Sequence, residues 1–141
     1  MLGIVFATRR EAQPFLSMSM AKQRTERPLP LLQPTIASRM DSIVVISGMG
    51  KVAATLAAAH LVVAYRVSAL LNAGLCGRLT GNDGLAIGDL LRISSAVEGD
   101  CDRFGLSEPA VVCDNRWFKA FRAARLVTCD RPVFDRERRV R

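Results

Sequence analysis

A chain of 141 residues, half of them hydrophobic, suits one domain able to bury roughly 70% of its extended surface, which excludes a wholly disordered chain. Ala, Val, Leu and Ile dominate over aromatics, as in layered α/β proteins. The net charge of +7 is uneven: residues 116–141 hold nine basic side chains against Asp130, Asp135 and Glu137, and the rest is close to neutral.

Residues 2–7, LGIVFA, are apolar without alternation, the pattern of a strand buried on both faces. A short helix is expected over 9–20, with Pro14 near its first turn. Residues 24–41 contain Pro28, Pro30 and Pro34 and read as an irregular connection or weak edge strands. SIVVIS, 42–47, is a second buried strand. Gly48 and Gly50 make a turn, and an alanine-rich helix follows from about Lys51 to Tyr65, apolar on most sides. VSALLN, 67–72, is a third buried strand, and strand, helix, strand at this spacing is a parallel βαβ unit. Residues 85–98 form a fourth strand after a Gly/Asp turn. A helix is expected over 115–125 with Trp117, Phe118 and Phe121 on its apolar side, then a short strand at 125–128 and the start of a helix at 135–141.

The motifs are best weighed by exclusion. GMGKVA follows a strand and opens a helix, but Val45 and Val52 stand where a P-loop needs Gly and Ser or Thr. Gly48, Gly50 and Ala53 match the dinucleotide fingerprint, yet no acid lies between Lys51 and Asn82 to hold a ribose. Cys76, Cys101, Cys113 and Cys129 show no C-x-x-C spacing, and His60 is the only histidine, so no metal site and no organic cofactor are expected. The apolar run at 52–63 is too short to span a bilayer, and residues 1–8 do not make a signal peptide, so a reduced, cytoplasmic protein is expected. The arginine-rich tail suits nucleic acid, but Trp117, Phe118 and Phe121 fall at helical core spacing, so a solvated helix face is favoured and nucleic acid is a rival partner only.

In open parallel sheets, ligands bind beyond the carboxyl ends of strands, where glycine lets backbone amides come close. Residues 48–50 and 74–77 end neighbouring strands on that edge, and Glu11, just past the first strand, belongs there too. GIVFATRREAQPFL, SGMGKVAA, NAGLCGRL and AIGDLLRISSAVEGDCDRFG, in that order and spacing, resemble the purine nucleoside phosphorylase and nucleosidase superfamily. The nearest look is to its 5′-methylthioadenosine/S-adenosylhomocysteine nucleosidase branch.

The resemblance implies a three-layer α/β/α sandwich with a mostly parallel or mixed central sheet. Residues 1–141 would be about the first two thirds of a family domain, incomplete at the C-terminus. It implies cleavage of the N-glycosidic bond of an adenine nucleoside with a modified 5′ position, with Glu11 positioning the attacking water. Gly48 and Met49 would lie near the sugar and its 5′ substituent, and Gly74, Leu75, Cys76 and Gly77 beside sugar and base. VTCDRPVF, 127–134, resembles the segment whose backbone reads the purine edge, with Val133 making that contact and Phe134 a candidate for stacking. Leu75 replaces the family's usual Ser, and Asn72 the phosphorylases' Arg, so hydrolysis is favoured over phosphorolysis, although Arg9, Arg10 and Arg78 leave phosphate a second route. The family's Met-Glu and Ser-Asp segments have no match in this sequence, so the chain alone is expected to be a truncated, inactive product. A homodimer is expected of the full-length form. A phosphorylase, a non-catalytic nucleoside-binding remnant and a basic nucleic-acid-binding module are the alternatives.

Overall fold

A computed structural model describes residues 1–35, 41–79, 84–100, 110–114, 116–131 and 133, in two compact units, Met1–Cys76 and Gly77–Arg141. The first unit runs β1 (Leu2–Phe6), α1 (Arg9–Met18), β2 (Lys22–Thr25), β3 (Leu31–Gln33), β4 (Ser42–Ile46), α2 (Lys51–Tyr65) and β5 (Ala69–Asn72). Its sheet has the order β2-β3-β4-β1-β5. β1 pairs in parallel with β4 and β5, while β2 and β3 are antiparallel, so the sheet is mixed. The βαβ unit β4-α2-β5 is parallel as expected, with β1 inserted between its strands.

Strand alternation makes the layers. Ile4, Phe6, Leu32 and Val44 point to one face and meet Ala12 and Leu16 of α1. Val5, Leu31, Ile43 and Val45 point to the other and meet Ala57 and Leu61 of α2. A strand covered on both faces has no need of polar alternation, which is why LGIVFA and SIVVIS read as continuous apolar runs. Each fully buried side chain, such as Leu31, Ile43 or Leu61, contributes about 1.5–3 kcal/mol relative to exposure. Gly3 sets the helix height: a Cβ there would lie 2.9 Å from Leu70 Cδ2 and 3.0 Å from Leu61 Cδ1.

The predicted bounds of α2 hold at both ends. Gly50, at φ 103°, precedes its first residue, and Arg66, in the left-handed region at φ 50°, follows its last. The Arg66 and Val67 amides turn back onto the carbonyls of Val62 and Leu61 and close the helix. Three expectations need correction. Pro14 lies in the second turn of α1, so the carbonyl of Arg10 loses its helical donor. The proline-rich region, expected as an irregular connection or weak edge strands, holds the end of the edge strand β2 and all of β3, and β3 is no edge strand but is buried at Leu31 and Leu32 because it lies between β2 and β4. β5 is not buried on both faces: it ends the sheet, and Leu70 is 45% exposed.

The second unit has β6 (Leu91–Glu98), β7 (Val111–Val112) and β8 (Arg122–Thr128), in the order β7-β6-β8 with β6 parallel to β8. β6 starts later than expected because residues 84–90 turn, with Gly88 at φ 95° and the Asp89 carboxylate accepting from the Ala86 amide. The helix expected over 115–125 is absent among the described residues. Phe118 has φ 54°, which a right-handed helix does not allow, and Arg122 already pairs with Leu91 in β6. The Phe118 and Phe121 rings stack at 5.9 Å and stay partly exposed rather than forming a core face. Before this turn Asp114 and Arg116 form an exposed ion pair at 2.7 Å. The hydrogen bonds from the guanidinium and backbone of Arg116 bring the Asp114 carboxyl down to about 2. The helix expected at 135–141 lies outside the described residues. No helix among the described residues is long and apolar enough to cross a membrane.

Candidate functional site

β4, β1 and β5 run in parallel, so Ile46, Phe6 and Asn72 end on one edge of the first sheet. Backbone bonds continue past these ends. The Ser47 amide donates to Phe6 (2.9 Å), that of Gly48 to Ala7 (3.0 Å), and that of Ala73 to Val5 (3.0 Å). The turn at 48–50 and the segment at 73–76 therefore flank the exit of β1, which leads through Thr8 into α1.

Glu11 sits in the first turn of α1, and its carboxylate is held from two directions. Oε2 accepts from the Thr8 amide (3.0 Å) and the Thr8 hydroxyl (3.1 Å), while the Glu11 amide donates back to Thr8 Oγ1 (3.2 Å). This is a reciprocal capping box, which satisfies donors that a helix start otherwise leaves open. Oε1 accepts from the Leu75 amide at 3.2 Å, across 64 residues of sequence. A capping box needs no such partner. The second bond ties the carboxylate to the loop after β5.

Gly74 packs closely against this arrangement. A Cβ there would lie 3.2 Å from Glu11 Oε1, so the carboxylate would have to give by a few tenths of an ångström. Gly77 differs: a Cβ would meet nothing within 4 Å, so space does not demand a glycine. Gly48 and Gly50 have φ of 86° and 103°, conformations that favour glycine, and Gly48 lies close enough to α2 that a Cβ would be 3.8 Å from that of Ala53. The side chains of Met49 and Leu75 are 81% and 87% exposed, so this edge presents two apolar groups beside a fixed carboxylate. Cys76 is an exposed free thiol.

Glu11, Gly74 and Leu75 are thus brought together, with Gly48 and Met49 at the adjoining strand end. Gly77 and Val133 belong to the second unit, and Phe134 lies outside the described residues. A cavity of about 410 Å³ runs along the β2–β3 hairpin, lined by Lys22, Gln23, Arg24, Gln33, Pro34 and Thr35, and none of the candidate residues lines it. Thr8 was missed from sequence although the signal was present, since Thr8-x-x-Glu11 is the capping-box spacing. The Leu75 amide had no signal, because a backbone donor belongs to every residue but proline.

The model of the phosphorylase superfamily matches residues 2–140. The chain belongs to that superfamily. Among curated members, a 5′-methylthioadenosine/S-adenosylhomocysteine nucleosidase of Shewanella baltica is 34% identical over 102 residues, 72% of this chain and 42% of the relative. The chain thus spans less than half the length of the curated superfamily members it matches. The S-adenosylhomocysteine nucleosidase of Streptococcus pyogenes, solved with 5-methylthiotubericidin, has a TM-score of 0.84 at 22% identity, over 99% of this chain and 66% of that one. A futalosine hydrolase mutant of Helicobacter pylori gives 0.81 at 22% identity, over 99% and 69%. At that identity the solved structures establish the shared superfamily fold, a mixed α/β sheet with helices on both faces.

Proposed function

We propose that this chain carries the first part of a nucleosidase site, for cleavage of the N-glycosidic bond of an adenine nucleoside with a modified 5′ position. The curated relatives are named for methylthioadenosine and S-adenosylhomocysteine, which supports that substrate class. The observation that carries the reading is the bond from the Leu75 amide to Glu11 Oε1, which fixes a carboxylate at the strand-end edge of the sheet. Glu11 aligns a water for attack at the sugar carbon as positive charge develops there, and the same carboxylate lowers the energy of that charge. Gly74 and Leu75 border the sugar and base, and Gly48 and Met49 face the 5′ substituent. By the family resemblance alone, Cys76 and Gly77 belong to the base side, the Val133 backbone to the purine edge and Phe134 to stacking on it.

Water is the proposed nucleophile because Asn72 and Leu75 offer phosphate neither a charge nor a hydroxyl. The 141 residues hold no Met-Glu segment for the ribose hydroxyls and no Ser-Asp segment to protonate the leaving base. This chain alone therefore binds nucleoside without turning it over. Calorimetric titration tests the reading, with methylthioadenosine and adenosine against NAD and single-stranded DNA as controls. Saturable binding of methylthioadenosine that weakens in Glu11→Ala is expected. Binding of DNA alone, weakening steeply with salt, overturns the reading in favour of a nucleic-acid module. Release of adenine by the chain overturns the proposed lack of turnover.

A further inference from the structure

The parallel pair β6 and β8 does not end where its strands end. The Gly99 amide, just past β6, donates to the Thr128 carbonyl at the end of β8 (2.9 Å). A Cβ at residue 99 would stand 2.5 Å from Val127 Cγ1 and 2.9 Å from Cys129 Sγ, and a β-branched side chain in a strand has little room to move aside. Glycine is therefore needed for the two chains to approach this closely. The next residue then reaches across: Asp100 Oδ2 accepts from the Asp130 amide at 2.5 Å and from the Arg131 amide at 3.3 Å. One carboxylate oxygen gathers two successive backbone donors from a segment 30 residues away. Bonds to a charged acceptor are about twice as strong as neutral ones.

We propose that Asp100 is a positioning residue for recognition of the adenine base. It fixes the direction in which the chain leaves β8 and so the place of the Val133 backbone. This rests on the reading above that the segment after β8 meets the purine edge. Asp100 touches no base itself. Its carboxylate acts through the Asp130 and Arg131 amides, and Gly99 supplies the close approach that lets it reach them.

Nuclear magnetic resonance and adenine titration of the full chain test this, with Asp100→Ala, Asp100→Asn and, as a distant control in the same unit, Asp114→Asn. In the wild type the Asp130 amide proton is expected downfield. In Asp100→Ala that displacement should vanish, exchange at the Asp130 and Arg131 amides should quicken about tenfold or more, and adenine affinity should fall about tenfold. Asp100→Asn, which keeps an acceptor oxygen but not its charge, should recover part of both. Asp114→Asn should change neither. Unaltered exchange at both amides in Asp100→Ala overturns the clamp. Faster exchange with unaltered adenine affinity overturns the recognition role and leaves a structural tie. If the wild-type chain binds no adenine while its amides respond, the nucleosidase reading fails, and the proposal with it.

Discussion

In the first unit, β1, β3 and β4 are packed on both faces, and the strands carry side chains with no exposure, such as Leu31 and Val44. In the second unit no described residue is buried. β6 is half-buried along its whole length, and β8 alternates, with Arg125 and Val127 exposed against half-buried Ala124 and Leu126. Both units have parallel strand pairs, so pairing alone does not make a core. The helices make the difference: α1 and α2 close the two faces of the first sheet, and the described part of the second unit has none. Backbone pairing sets the register of a sheet, while burial of its faces supplies most of the driving force.

The largest expected effect attacks that contrast directly. Leu61→Ala removes a side chain wedged between α2 and the sheet and should cost about 2–5 kcal/mol in urea unfolding followed by circular dichroism. Leu126→Ala in β8 should cost about 1 kcal/mol, because its side chain is only partly buried. Equal losses would break the comparison. A second pair sharpens it at the candidate site. Gly74→Ala should weaken methylthioadenosine binding about tenfold by displacing Glu11, while Gln13→Ala, on the exposed side of α1, should leave affinity unchanged.

Smaller effects come from the ends of elements. Thr8→Ala removes the cap of α1 and should cost about 1 kcal/mol, visible as a melting temperature lower by about 4–8 °C, with Thr8→Ser close to wild type. The smallest concerns the Asp114–Arg116 pair, which is fully exposed and screened by salt. Its folded value of about 2 lies below the ordinary 3.8, so what it contributes is present above 3.8 and is lost as pH falls through 2. Titration of the Asp114 carboxyl carbon should show that low midpoint, and adding salt or Arg116→Ala should move it toward the ordinary value.

The sequence was most legible where local signals and burial agree. α2 was legible at both ends because glycines at 48 and 50 open it and its apolar run stops near Tyr65. β1 and β4 were legible because burial on both faces leaves an unbroken apolar run. The helix expected over 115–125 failed because Trp117, Phe118 and Phe121 mimic helical spacing, while the partner that decides the issue is β6, some 30 residues earlier. Pairing between distant segments leaves little mark on either one alone. The site divides in the same way. Glu11 stood out through a family motif, but the Leu75 amide and the reach of Asp100 depend on where the chain returns in space.

The capping box on Glu11 carries one more consequence. A carboxylate that also anchors the beginning of a helix is not free to swing toward a substrate, because each ångström of travel would unfasten the helix behind it. A ligand must come to it, and the cost of aiming the carboxylate is met once, when the polypeptide folds.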